Sequence, residues 1–228
     1  MSREALAREI VAVCSRLYDR GLIAGQDGNV SVRLAGGHIL VTPAGLSKVD
    51  VTPEDLVELT PEGRRVTDGL APSSEVGMHL RIYRERADVR AVVHAHPPVA
   101  TAFGVVGRDF MDAVLPEAIF HLGRVPLIPF AMPGTPALGE AMAPYLADHD
   151  VFLLASHGAT TVGPSLRLAH QLMESLEHAA CILHAAAQLG PVTPLRDEDI
   201  AALRGAREAA RAGWEAEGAR MAAEETEE

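Results

Sequence analysis

Two short apolar runs in this chain, Ala91-Val92-Val93 and Val151-Phe152-Leu153-Leu154, each stop within three residues of a histidine. Runs of that length and composition read as buried strands, which points to an α/β domain with chemistry at its strand ends. His94 and His96 are alternate residues leaving the first run, so their imidazoles share a face and can reach one metal ion. His157 sits just past the second run. Ligands at strand ends are held by the sheet rather than by loose loops. Three protein ligands with an open position describe a catalytic zinc site, whereas four closed ligands describe a structural one. Glu75, in Ala71-Pro72-Ser73-Ser74-Glu75, is then either an exchangeable fourth ligand or a base beside the metal. The chain has ten histidines, and the competing reading is that these three are unrelated.

A length of 228 residues fits one α/β domain with a full core. Aromatic residues make up only 4%, so alanine and leucine must fill much of that core. The formal charge of −11 with no basic stripe argues against a nucleic-acid or anionic-membrane partner. Cys14 and Cys181 stand alone in apolar helical segments and make no disulfide framework. No apolar run approaches a membrane span, and Met1-Ser2-Arg3-Glu4 opens no signal peptide. The expectation is a soluble cytoplasmic protein ending in a solvated acidic tail, Glu224 to Glu228.

Helical spacing predicts a first helix over residues 2 to about 23, left at Gly21 and Gly25. Strands at Val30 to Leu34 and His38 to Thr42 flank Gly36-Gly37 as a hairpin. A brief helix begins at Pro53 behind Thr52, and a strand follows at Val57 to Thr60. Ser74 precedes a helical pattern from Glu75 to Arg86, which sets Glu75 beside the unpaired N–H groups of a helix start. Pro97-Pro98 begins another helix, a strand at Pro126 to Pro129 precedes a helix over Thr135 to Leu146, and Leu166 to Leu189 is the longest clear helix. A last helix from Asp197 to about Glu217 follows the breaker Gly190-Pro191-Val192-Thr193-Pro194 and reads as the most separable element. One domain spans residues 1–228, with no internal repeat or linker.

The loops Gly25 to Ser31 and Thr42 to Gly45 fit neither a dinucleotide fingerprint nor a Walker loop and read on their own as turns. Ser73-Ser74 suits either a phosphate or simple helix capping. Ser156 beside His157 is not a hydrolase pair, since neighbours on a strand face opposite ways. His170, Glu174 and His178 share a helix face, where polar contacts are a better reading than a second metal.

Together, Gly25-Gln26-Asp27-Gly28-Asn29-Val30-Ser31-Val32-Arg33, Thr42-Pro43-Ala44-Gly45, Pro72-Ser73-Ser74-Glu75, Val92-Val93-His94-Ala95-His96 and Ser156-His157-Gly158 resemble the class II aldolase/adducin family, specifically its L-fuculose-1-phosphate aldolase type. The segments come in family order and cover residues 5 to about 190. The resemblance implies a three-layer α/β fold, a mixed central sheet flanked by helices, assembled as a homotetramer with sites at subunit contacts. It implies Zn²⁺ on His94, His96 and His157, with Glu75 shuttling a proton and Gly28, Asn29, Ala44, Gly45, Ser73 and Ser74 holding a substrate phosphate. The implied reaction is reversible cleavage of a ketose 1-phosphate to dihydroxyacetone phosphate and an aldehyde, with the metal stabilising an enediolate. Sugar-phosphate 4-epimerases, methylthioribulose-phosphate dehydratases and keto-acid-phosphate decarboxylases share the fold. Adducin-type heads share it without catalysis, and the complete set of three histidines and Glu75 argues for an enzyme.

Three positions depart from the aldolase pattern. A tyrosine that the family supplies from the neighbouring subunit falls near Leu115, where Glu117 is the candidate substitute unless the second product differs. Asp27 puts an anion in the supposed phosphate loop, tolerable only if it faces away. Arg207 and Ala210 stand where the aldolases close the site with aromatics.

Overall fold

The computed structural model describes residues 1–108 and 114–224, with residues 215–224 as backbone only. Seven strands, β1 (Asn29–Arg33), β2 (Ile39–Val41), β3 (Val57–Leu59), β4 (Ala91–Ala95), β5 (Leu127–Ile128), β6 (Val151–Leu154) and β7 (Gly158–Gly163), form one sheet. Their order is β3-β2-β1-β4-β7-β6-β5. Every neighbouring pair is antiparallel except β5 and β6. Helices α1 (Arg3–Asp19), α2 (Val76–Glu85), α3 (Pro98–Val105), α4 (Pro116–Leu122), α5 (Pro136–Met142), α6 (Leu166–Leu189) and α7 (Asp197–Glu224) surround it.

Side-chain alternation on the central strands explains why both faces need helices. Ala91, Val93 and Ala95 of β4 join a core with Ile10 and Leu17 of α1 and Leu172 and Leu176 of α6. Val92 joins the opposite core, with Met78 and Ile82 of α2 and Leu138 and Met142 of α5. Each fully buried valine, leucine, isoleucine or methionine among them contributes roughly 1.5–3 kcal/mol. The same alternation puts His94 on the α2 side. On β1, Val30 and Val32 enter the α1 core, so Asn29, Ser31 and Arg33 face α2. The α2 stripe Met78, His79, Ile82 and Tyr83 is buried against them. Arg33 Nη2 donates to the Tyr83 and Arg86 carbonyls, at 2.5 and 3.0 Å, satisfying the end of α2.

The expected mixed α/β sheet and its early hairpin are present, with corrections. The first helix stops at Asp19, and Gly21 takes a left-handed φ of 68° just beyond it. The predicted helix over Thr135 to Leu146 is α5 followed by a 3-10 turn at Ala143–Tyr145, with Thr135 as its N-cap. β7 and α4 are elements that the sequence pattern did not predict. The final helix is not separable: Arg207, 8% exposed, donates to Asp150 Oδ2 at 2.9 Å and to the His121 carbonyl at 2.8 Å. Asp150 also meets Arg86 Nη2 at 3.0 Å and Arg211 Nε at 3.2 Å. This charged clamp grips the start of β6, whereas His157 follows its end. Residues 225–228 of the acidic tail lie outside the described residues. No described helix is long and apolar enough to cross a membrane.

Candidate active site

The sheet register assembles the site. Antiparallel pairing sets Asn29 of β1 and Thr160 of β7 directly beside His94 of β4. His94 Nδ1 donates to the Ala159 carbonyl at 2.9 Å, which leaves Nε2 as the free lone pair. His96 lies one residue past β4, its backbone N–H bonded to the Leu22 carbonyl. His157 occupies the tight turn from β6 to β7. That turn runs through Ser156 at φ 54°, a left-handed conformation found at no other non-glycine among the described residues. Ser156 and His157 therefore sit on a turn rather than on a strand. Gly158 follows because nothing larger fits: a Cβ there would lie 2.4 Å from His96 Cδ2 and 2.6 Å from the Ala95 carbonyl. Gly28, at φ 71°, also passes close to the His94 carbonyl, which would lie 2.8 Å from a Cβ there.

Glu75 is the N-cap residue of α2, at φ −94° and ψ 8°. Its Oε2 lies 3.3 Å from His94 Nε2 and its Oε1 3.2 Å from His157 Nε2. Asn29 Nδ2 donates to Oε2 at 2.9 Å. Burial raises the Glu75 pKa, but hydrogen bonds and charge from His157 and His94 outweigh it and hold the carboxyl below the usual range. Burial, helped by the charge of His94, lowers the pKa of His96.

The ring nitrogens of His94, His96 and His157 all lie within 4.8 Å of one another. His94 Nε2 and His96 Nε2 are 3.2 Å apart. Tetrahedral coordination with bonds of 2.0–2.1 Å has an edge of about 3.3–3.4 Å, which the His94–His96 separation and the two Glu75 contacts match. Nitrogen lone pairs facing each other at this distance, with a carboxylate alongside, call for a shared cation. Among the described residues this is the one grouping of its kind. His170 instead contacts Glu174 at 3.6 Å, and Glu174 meets Arg20, just past the end of α1, at 3.5 Å. That helix face makes polar contacts, and His178 joins no metal cluster.

A cleft of about 520 Å³ opens over the cluster. Gly28, Asn29, Ala44, Gly45, Ser73 and Ser74, the six residues expected to hold a phosphate, line it together with Glu75, His96 and His157. His94 lies beneath, fully buried. Asp27 lines it too, but its Oδ2 lies 3.4 Å from His96 Nδ1, so the anion is engaged by the imidazole. Glu117 is exposed on the first turn of α4 and does not line the cleft of its own chain.

Two residues of this region escaped sequence reasoning. Lys48 is the only lysine of the chain and is 3% exposed. Its Nζ donates to the Gln26 and Leu46 carbonyls at 2.9 and 3.0 Å, tying two loops of the cleft wall together. Burial lowers its pKa against the pull of Cys14, Asp27 and Glu75. Among the described residues no arginine lines the cleft, and Lys48 is its one basic side chain apart from the histidines. His79, fully buried on α2, was readable only as part of the four-residue spacing of Glu75, His79 and Tyr83.

Residues 8–184 match the class II aldolase and adducin N-terminal domain family. The chain is 33% identical over 205 residues to a 3-oxo-tetronate 4-phosphate decarboxylase of Escherichia coli, covering 88% of this chain and 96% of that protein. It is 31% identical over 193 residues to a 5-deoxy-D-ribulose 1-phosphate aldolase of Bacillus thuringiensis, covering 84% and 90%. The crystal structure of YgbL from Escherichia coli, described as a putative aldolase/epimerase/decarboxylase, superposes with a TM-score of 0.83 at 32% identity, covering 89% of this chain and 99% of that one.

Proposed function

Because the chain belongs to the class II aldolase/adducin family and is a lyase of it, we propose that it decarboxylates a phosphorylated 3-oxo sugar acid, with Zn²⁺ on His94, His96 and His157. Similarity to the 3-oxo-tetronate 4-phosphate decarboxylase supports that substrate class. When bound, the divalent cation supplies Lewis-acid stabilisation of the charge that develops on substrate oxygen as the carbon–carbon bond breaks.

The side chains divide the remaining work. Asn29, Ser73, Ser74 and the backbone at Gly28, Ala44 and Gly45 hold the phosphate, and Lys48 contributes the positive charge that these neutral groups lack. Asp27 orients His96. Breaking the bond to the carboxylate releases CO₂ and sends the electron pair toward the 3-oxo group, leaving an enediolate. Glu75, ionised at rest, takes up a proton as an anionic substrate enters and returns it to the carbon that lost CO₂. Dihydroxyacetone phosphate is the other product.

The observation that carries this reading over aldol cleavage is Leu115. Aldol cleavage passes through the same enediolate but also needs a group to handle the proton on the aldehyde oxygen, which the family tyrosine provides. Leu115 cannot do so, and a second copy of the chain brings another Leu115. A leaving CO₂ needs no such group. The exposed position of Glu117 favours a second reading, in which an oligomer, the homotetramer of the resemblance, turns that carboxyl toward a neighbour's cleft for aldol cleavage of L-fuculose 1-phosphate or a similar ketose 1-phosphate.

Zinc-loaded protein incubated with 3-oxo-tetronate 4-phosphate should yield CO₂ and dihydroxyacetone phosphate in equal amounts. Equimolar aldehyde and dihydroxyacetone phosphate from a ketose 1-phosphate, with no CO₂ from the acid, would overturn decarboxylation in favour of the aldolase.

A further inference from the structure

Beneath the cleft, polar side chains of β1 and α2 form a buried hydrogen-bonded ladder. Asn29 and Ser31 project from one face of β1, while Glu75, His79 and Tyr83 recur every fourth residue on α2. Two residues of strand advance about 6.6 Å and four residues of helix about 6.0 Å, so the two stripes stay nearly in step. Asn29 Nδ2 meets Glu75 Oε2 at 2.9 Å, and Asn29 Oδ1 meets His79 Nε2 at 2.5 Å. His79 Nδ1 lies 2.6 Å from Ser31 Oγ, which lies 2.8 Å from the Tyr83 hydroxyl.

The direction of every bond follows from the carboxylate end. Ionised Glu75 only accepts, so Asn29 donates its amide N–H and is left with an accepting oxygen toward His79. Burial, with the charge of His94, pushes the His79 imidazole down to about 3 despite the opposing pull of Glu75, so it is neutral. A neutral imidazole has one N–H, which must sit on Nε2 to serve Asn29. Nδ1 then accepts from the Ser31 hydroxyl, and Ser31 accepts from Tyr83. All donors point toward Glu75, the arrangement in which successive hydrogen bonds strengthen one another.

We propose that His79 is a positioning residue of the active site, which through Asn29 fixes the Glu75 carboxylate and makes Asn29 present only N–H donors to the substrate. Without His79 the Asn29 amide is free to turn over, setting its oxygen against a carboxylate or a phosphate. The inference rests on the reading of Glu75 as the proton carrier. It goes beyond that reading by assigning a role to a side chain that touches neither metal nor substrate.

The tautomer of His79 is read first, from ¹⁵N–¹H correlation spectra of the zinc-loaded wild-type protein without substrate. The signal is identified by its loss in His79→Gln. It should show a protonated Nε2 and a bare Nδ1, unchanged from pH 5 to 9; a proton on Nδ1, or on both nitrogens, would overturn the proposal. Kinetics follow, with the substrate that turns over. His79→Gln keeps a donor near the Nε2 position and should retain most of kcat. His79→Asn and His79→Leu lack it and should lose on the order of 10–100-fold in kcat with KM and zinc content held. Ser31→Ala and Tyr83→Phe, at the far end, should give smaller losses of the same kind and serve if the His79 variants fail to fold. If kcat instead followed melting temperature alike in His79→Gln and His79→Asn, His79 would be a packing residue only and the proposal would fail. A wild-type protein inactive on both 3-oxo-tetronate 4-phosphate and L-fuculose 1-phosphate would sink the functional reading, while the tautomer would still decide this one.

Discussion

Gly158→Ala tests whether the metal centre is built by backbone contact. The new Cβ would meet His96 Cδ2 at 2.4 Å and the Ala95 carbonyl at 2.6 Å. Ordinary contacts between such atoms are about 3.5–4.0 Å, so His96 must retreat by more than about 1 Å. The carbonyl has less room to give, because Ala95 is paired to Ala159 between β4 and β7. Displacing one of three ligands should weaken zinc binding on the order of 10–100-fold, or about 1.4–2.7 kcal/mol. Overpacking should also cost the metal-free fold about 1–3 kcal/mol, at about 2–4 °C of melting temperature per kcal/mol. Zinc affinity is measured by competition with a chromophoric chelator and stability by calorimetry of the metal-free protein. Gly205→Ala, on exposed α7 with nothing within 4 Å, is the matched control and should stabilise by about 0.5–1 kcal/mol. Wild-type zinc affinity and melting temperature in Gly158→Ala would refute the idea that this glycine makes room for His96.

Asp27→Asn removes the carboxylate at His96 Nδ1 and should lower zinc affinity about tenfold or more, read in the same chelator competition. Lys48→Met should raise KM for a phosphorylated substrate by about 10–100-fold, the value of a lost charged hydrogen bond, with zinc content intact by atomic absorption. Arg207→Ala should lower urea stability by about 1–3 kcal/mol without changing zinc affinity, because its clamp on Asp150 grips the opposite end of β6 from His157. The folded pKa of His79 lies near 3, below the unfolded value of about 6.5. The unfolded chain therefore binds the extra proton between these values. The stability that His79 contributes is fully present above pH 6.5 and falls by up to about 1.4 kcal/mol per pH unit as pH drops toward 3. Chemical denaturation against pH should show this acid slope in the wild type and its loss in His79→Gln.

The histidine cluster could be read from the chain because its members are tied to local pattern: an apolar run announces a strand, and a histidine at its end inherits a fixed direction. Glu75 was readable for the same reason, as the residue that opens a helix. β7 escaped because Gly158-Ala-Thr-Thr-Val-Gly163 lacks both alternation and a long apolar run. It is a strand because β4 and β6 pair with it on either side, a condition no local window contains. The final helix was misjudged as separable because the partner of Arg207 lies 57 residues away. Lys48 carries no motif at all, and its rarity in an arginine-rich chain was the only hint. Asp27 reads from sequence as an anion hostile to a phosphate, and no local pattern shows that its carboxylate lies 3.4 Å from His96 Nδ1.

The ladder beneath the cleft also has a built-in limit. Strand and helix advance at slightly different rates, about 6.6 against 6.0 Å per rung, and slip out of register by about 0.6 Å each time, like the two scales of a vernier. Hydrogen bonds tolerate a few tenths of an ångström, so the coincidence lasts two or three rungs and then ends. Arg33, the next β1 residue on that face, no longer meets a side-chain oxygen; its guanidinium sits over the Tyr83 ring at 5.0 Å and reaches the Tyr83 and Arg86 carbonyls around the end of α2 instead. The span over which one element can dictate side-chain orientation in the other is thus fixed by the two repeat lengths. A one-residue insertion in either element would shift the point of coincidence away from Glu75, leaving both elements intact but the site without its internal alignment.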